Sequence, residues 1–186
     1  MGKLIVHNMI TVNGVFDSPA PDTWLEADND SGDASLEQLL LADALVLGRK
    51  TYEGLAAVWP HLGGDPGLGR YAERINGMPK YVASRTRPGP LEWNATLIRG
   101  ELDEAVPELK DTHGGNLVVS GCGEFAHTLA RRGFVDEFWF WVNPCLWAAG
   151  PRVFDGVGPI RLRLVAATPY RSGVLWLRYR PAGPLT

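Results

Sequence analysis

Three short segments carry residues suited to holding a phosphate. In Leu117–Leu129, LVVSGCGEFAHTL, an apolar β-branched run meets Gly121, Cys122 and Gly123, and a helical pattern opens at Glu124. Free backbone N–H groups and a partial positive charge at a helix N-terminus suit an anion. Gly121 and Gly123 leave no side chain to hold a pyrophosphate away from that backbone. The spacing satisfies G-x-G-x-x-A, with Ala126 in the last place. In VLGRKTYE, residues 46–53, the turn is Gly48, followed by Arg49, Lys50 and Thr51 at a second helix start. In KYVASRT, residues 80–86, a strand-like run ends in Ser84, Arg85 and Thr86. The chemistry these residues share is nucleotide-cofactor binding. The carboxyl edge of an open α/β sheet is where such strand ends converge on a ligand.

A Rossmann fingerprint would sit on the first strand-to-helix turn, with an acid about 20 residues on. Here the motif lies two-thirds along the chain, and Trp141 occupies the place of that acid. Cys122 at a helix N-terminus would have a lowered pKa, but no histidine base is recognisable near it, so it is not read as a nucleophile. The two cysteines form no C-x-x-C and the four histidines no H-x-x-x-H, so no metal is expected.

The elements that must position these turns come from a chain of 186 residues, a length that fits one domain spanning 1–186. The net charge of −3, without a basic run, argues against nucleic acid. No apolar run approaches the ~20 residues of a membrane span. The start, MGKLIVHNMI, has no signal-peptide pattern, so a cytoplasmic protein is expected. Periodicity and turn residues predict strands at Lys3–Val12, Ala44–Leu47, Lys80–Ser84, Ala95–Ile98, Asn116–Ser120 and Glu137–Val142. Helices are predicted at Ser35–Asp43, from about Thr51, at Leu68–Ile75, at Leu102–Leu109 and at Gly123–Arg132. Arg161–Ala167 and Gly173–Tyr179 read as an antiparallel hairpin. Strands and helices that alternate, then strands alone, predict a mostly parallel sheet with helices on both faces and an antiparallel edge. The Phe138–Trp141 strand reads as core and interface surface. The long polar segment from Asp17 to Gly32 reads as a functional loop or as a plain solvated connection.

LGRKTYEG is similar to the cofactor-binding turn of dihydrofolate reductases. TVNG, PKYVASRT, VVSGCGEFAHTLARRGFVDEF and NPCLWAAGPRVF resemble, in order from Thr11 to Phe154, the reductase domain of the bifunctional riboflavin-biosynthesis deaminase–reductase and its stand-alone bacterial relatives. The resemblance implies a dihydrofolate-reductase-like three-layer α/β fold, NADPH as cofactor, and a homodimer. Gly48, Arg49, Lys50 and Thr51 would then contact cofactor phosphates. Arg49 and Lys50 would neutralise the adenosine 2′-phosphate or the pyrophosphate. Ser84, Arg85 and Thr86 match the adenosine side, where an arginine fork favours NADPH over NADH. Gly121, Cys122, Gly123 and Glu124 match the pyrophosphate turn.

On the substrate side, Thr11, Gly14 and Trp24 match the family pattern, and Asn13 stands where an aspartate is usual. An amide keeps the hydrogen bonds of a carboxylate and loses its charge and its acid. Asp17, Asp33 and Glu37 are the other acids near this loop and, with Asn13, the candidate catalytic groups; the proton donor is otherwise unassigned. Trp24, Tyr52 and Trp59 could stack on a planar heterocycle or belong to the core. In NPCLWAAGPRVF, Ala148 and Ala149 replace glycines and Pro151 a common lysine. The zinc-deaminase signature H-x-E with P-C-x-x-C is absent, so the chain is at most the reductase half. The expected activity is NADPH-dependent hydride transfer to a C=N or C=O group of a small polar, pterin-like substrate. The alternative is a non-catalytic nucleotide- or pterin-binding protein on the same fold.

Overall fold

The computed structural model describes residues 1–17, 29–86 and 89–184. In chain order these form β1 (Lys3–Thr11), α1 (Asn29–Leu40), β2 (Ala42–Gly48), α2 (Arg49–Val58), a 3-10 turn (Trp59–His61), α3 (Gly69–Gly77), β3 (Lys80–Ala83), β4 (Ala95–Leu97), α4 (Leu102–Thr112), β5 (Asn116–Ser120), α5 (Glu124–Arg131), β6 (Glu137–Asn143), β7 (Ile160–Pro169) and β8 (Leu175–Pro184). The strands are mostly parallel and end in an antiparallel hairpin. The chain divides into two compact units, Met1–Leu4 with Ser35–Ser120, and Ile5–Ala34 with Gly121–Thr186.

The first unit orders its strands β4-β3-β2-β5, all parallel. β2 is buried almost throughout, as an interior parallel strand should be. Leu45 and Leu47 pack with Tyr52 of α2, Ile75 of α3, Met78 and Val82. Lys80, at the start of β3, is a buried cation held by other means than an acid. Its Nζ donates to the carbonyls of Asn76 (3.0 Å) and Met78 (2.8 Å) and lies 4.2 Å over the Trp93 ring. Carbonyl dipoles and an aromatic face offset the loss of water around a buried ammonium.

The second unit orders its strands β1-β6-β8-β7, with β1 and β6 parallel and the rest antiparallel. The alternation EFWFWV splits β6 between two faces. Phe138 and Phe140 meet the edge of Phe154 at 5.4 and 5.7 Å. Glu137, Trp139 and Trp141 take the other face, with Trp176 and Arg178 of β8 opposite. Glu137 is fully buried. Its carboxylate accepts from Arg178 (2.8 Å), from both Nε and Nη2 of Arg180 (3.1 and 2.8 Å) and from the Trp139 indole (2.8 Å). All four aromatic side chains of the Phe138–Trp141 run are buried.

Some boundaries differ from the sequence reading. The helix expected at Ser35–Asp43 ends at Leu40, and β2 starts at Ala42. Asp43 joins the strand, where its carboxylate accepts the Gly115 N–H at 2.7 Å. α4 continues through Pro107 to Thr112 rather than stopping at Leu109. β8 passes Tyr179 and includes Pro181. The ladder with β7 shifts register between Ile160 and Leu162, opposite that proline, and an irregular step is where a strand tolerates a residue without an N–H.

Candidate cofactor and substrate sites

In the first unit, β2 and β3 are neighbours, and Gly48 pairs in register with Ala83. This puts the two turns side by side at the carboxyl ends of adjacent parallel strands. Gly48 caps α2 in an extended conformation with no side-chain cap bond, and the first turn of that helix holds no acid. Its leading N–H groups therefore have neither a side-chain cap nor an acid of their own first turn to bond. Arg49 Nη1 reaches the Thr86 hydroxyl at 3.4 Å, across from one turn to the other. The Thr86 N–H in turn donates to Ser84 Oγ at 3.3 Å, which folds the end of β3 back on itself. Arg49, Lys50 and Arg85 are exposed, and among the described residues none of the three has a carboxylate partner. Three exposed cations thus surround a helix start that has no side-chain cap.

Tyr52 takes the other of its two readings. It is 2% exposed, and its hydroxyl donates to the Glu92 carbonyl at 3.1 Å, so it offers no face to a ligand. Trp59 is half-buried against Tyr71, with ring centres 5.2 Å apart.

In the second unit, the Gly121 turn follows β5. Gly121 has φ +93°, a conformation that favours glycine, and its N–H donates to the His7 carbonyl at 3.2 Å. Gly123 caps α5, again without a side-chain bond. Cys122 is buried, and burial pushes its thiol up to about 12 against a weaker opposing hydrogen bond from Asn8. The sequence shows no base near Cys122, but the fold supplies an imidazole. His127 lines the same small apolar cavity as Cys122, together with Val6, Phe138 and Phe154, and its buried Nε2 has no hydrogen-bond partner among the described residues. A thiol held neutral by burial is still no nucleophile. Glu124, the first residue of α5, turns its carboxylate toward Arg131 at 2.5 Å. The hydrogen bond and charge of that arginine hold it below the usual carboxylate range.

At the end of β1, the residues expected to meet a substrate also hydrogen-bond within the protein. Thr11 is fully buried. Its hydroxyl donates to Asn13 Oδ1 at 2.8 Å and accepts the Val15 N–H at 3.0 Å. Asn13 Oδ1 also accepts the Trp147 N–H at 3.1 Å, while Asn13 Nδ2 donates to the Trp147 carbonyl at 2.8 Å. Gly14 lies within the same lacework, its carbonyl accepting the Val153 N–H at 2.9 Å. Gly150, at φ +136°, runs so close to this turn that a Cβ there would fall 2.6 Å from the Asp17 carbonyl oxygen. Asp17 and Glu37 are exposed. Trp24 and the side chain of Asp33 lie outside the described residues.

Residues 3–176 match the RibD C-terminal domain family. The chain belongs to that family. It is 26% identical over 181 residues to the uncharacterized protein YyaP of Bacillus subtilis (strain 168), an alignment covering 95% of this chain and 94% of that one. Its fold is similar to that of a putative riboflavin biosynthesis protein from Shewanella sp. PV-4, with a TM-score of 0.73 at 18% identity over 96% of this chain and 98% of the other. A dihydrofolate reductase from Enterococcus faecalis, complexed with NADP(H), aligns with a TM-score of 0.60 at 16% identity, covering 97% and 96%. The fold is thus dihydrofolate-reductase-like, and the family is one of reductase-type domains. Among the described residues no helix is long and apolar enough to cross a membrane.

Proposed function

We propose that this chain is an NADPH-dependent reductase that reduces a C=N or C=O group of a small polar, pterin-like substrate. The observation that carries the reading is the pair of strand ends in the first unit. Gly48, Arg49, Lys50 and Thr51 stand beside Ser84, Arg85 and Thr86, joined by the Arg49–Thr86 hydrogen bond, with three exposed cations and no acid among them. These residues fit the phosphate end of NADPH. The guanidinium groups would hold the 2′-phosphate, and the N–H groups leading α2 would donate to an oxygen of a second phosphate. NADPH, when bound, supplies the hydride. The chain's own part is to hold and orient, through charge-assisted bonds that NADH lacks a phosphate to make. The pyrophosphate role of Gly121, Cys122, Gly123 and Glu124 is part of the same proposal, as are a homodimer and a cytoplasmic location.

The test is calorimetric titration with NADPH and with NADH. NADPH should bind at least tenfold more tightly. Arg49→Ala and Arg85→Ala should each weaken NADPH roughly tenfold or more, the effect of one hydrogen bond to a charged group, and leave NADH unchanged. Equal affinity for the two nucleotides, or an unchanged NADPH affinity in both variants, would remove the assignment.

One observation favours a second reading, a non-catalytic nucleotide- or pterin-binding protein. Thr11 and Asn13 are both engaged within the protein, and position 13 carries an amide rather than a carboxylate. That reading expects NADPH binding without oxidation of NADPH by any carbonyl or imine compound.

A further inference from the structure

Asn13 is two residues beyond β1 and 134 residues from its partner, Trp147. The side-chain amide and the Trp147 backbone exchange two hydrogen bonds, N–H to Oδ1 at 3.1 Å and Nδ2 to carbonyl at 2.8 Å. This is the reciprocal pairing that two opposed strand residues make, with a side chain in place of one backbone. The orientation of the amide is forced. Turned over, its NH2 would face the Trp147 N–H, and its oxygen would face the Trp147 carbonyl. The Thr11 hydroxyl supplies a second donor to Oδ1, and the Val12 N–H ties the same two segments together through the Cys145 carbonyl at 3.0 Å. The exposed side chains left on the joined segments are Val12, Pro144 and Leu146, all apolar.

We propose that Asn13 is a positioning residue, a latch that fixes the segment Pro144–Trp147 against the end of β1 independently of pH. An amide is the one side chain of this size that is always both acceptor and donor. A carboxylate in its place could accept from Trp147 N–H, but its second oxygen would oppose the Trp147 carbonyl across a distance of 2.8 Å. Only the protonated acid could close the pair. An aspartate here would therefore hold the segment at low pH and release it once ionised. The consequence for substrate binding rests on the reductase reading. The latch itself rests on the hydrogen bonds alone.

The experiment is hydrogen–deuterium exchange at the Trp147 amide of the 186-residue chain, in wild type, Asn13→Asp and Asn13→Ala, from pH 4 to pH 8, corrected for intrinsic exchange. The Tyr170 N–H, which is bonded to the Val174 carbonyl at 2.9 Å in the hairpin of the same unit, serves as internal reference. In wild type the protection of Trp147 relative to Tyr170 should stay constant with pH. Asn13→Ala should lose at least tenfold at every pH. Asn13→Asp should match wild type at pH 4 and lose at least tenfold by pH 8. Full protection in Asn13→Ala, or a flat profile in Asn13→Asp, would overturn the latch. Neither result depends on whether the protein binds NADPH, so a failed cofactor titration leaves this test intact.

Discussion

Glu137 gives the sharpest stability prediction, because a single buried carboxylate answers two guanidinium groups and an indole. Glu137→Ala removes the acceptor for Arg178, Arg180 and Trp139 together. It leaves two cations on neighbouring positions of one strand face, with nothing between them. Truncating one member of a buried ion pair costs about 3–5 kcal/mol. The arginine side chains keep 27% and 41% of their surface exposed, against 1% for Glu137, so they recover part of their hydration. The lower end, about 3 kcal/mol, is the expected loss, or roughly 6–12 °C in Tm for a chain of this length. Glu137→Gln keeps the shape and one acceptor and should lose about 1–2 kcal/mol. Arg180→Ala removes the more exposed cation while Arg178 still answers the carboxylate, and should lose no more than about 1 kcal/mol. Urea unfolding at pH 7, with the slope compared across variants, measures all three. Glu137→Ala within about 1 kcal/mol of wild type, or Arg180→Ala costing as much as Glu137→Ala, would refute the argument that the carboxylate organises this face.

Two further predictions follow from groups whose protonation the fold controls. Burial lowers His7 from 6.5 to about 4, so between those values the unfolded chain binds a proton that the folded one does not. Its contribution to stability is therefore complete above pH 6.5 and is lost as pH falls toward 4. The difference in unfolding free energy between wild type and His7→Gln should change with pH only across that window, and a difference flat from pH 4 to 7 would contradict the burial of the imidazole. Cys122, raised to about 12, should resist N-ethylmaleimide at pH 7.5 while the half-buried Cys145 reacts. Peptide mass spectrometry that found Cys122 labelled first in the native protein would contradict its neutral, enclosed state.

What the sequence makes legible is local. The run Asn116–Ser120, then the glycine turn and the start of α5, appears in the structure at the expected places, because a β-branched run, a residue pair without Cβ and an apolar 3.6-residue period are all written within fifteen residues. The turn of Arg49 and Lys50 and the strand end of Ser84 to Thr86 are legible in the same way. Their adjacency follows from β2 and β3 being parallel neighbours. The errors arise where a distant contact outweighs a local signal. Three consecutive leucines extend a helical pattern past Leu40, but the bond from Gly115 to Asp43 puts the following residues in a strand. A proline ends a strand by local rule, yet Pro181 is accommodated where the partner strand shifts register.

The same distinction separates the cofactor side of the proposal from the substrate side. Phosphate recognition uses backbone N–H groups and cations that each turn supplies for itself, so residue type and spacing suffice to nominate Arg49, Lys50 and Arg85. Roles at the end of β1 depend on who the side chains meet across the chain. The internal hydrogen bonds of Asn13 cannot be read until Trp147 is placed opposite it. Glu137 looks like one more acid until Arg178 and Arg180, 41 and 43 residues away, converge on it. An amide in a position where relatives are expected to hold a carboxylate is therefore informative about this protein in particular. It exchanges a group that could present charge to a ligand for one that completes a hydrogen-bonded pair with its own backbone. The cost of that exchange is the proton and the charge, and what it secures is a segment whose position does not respond to pH.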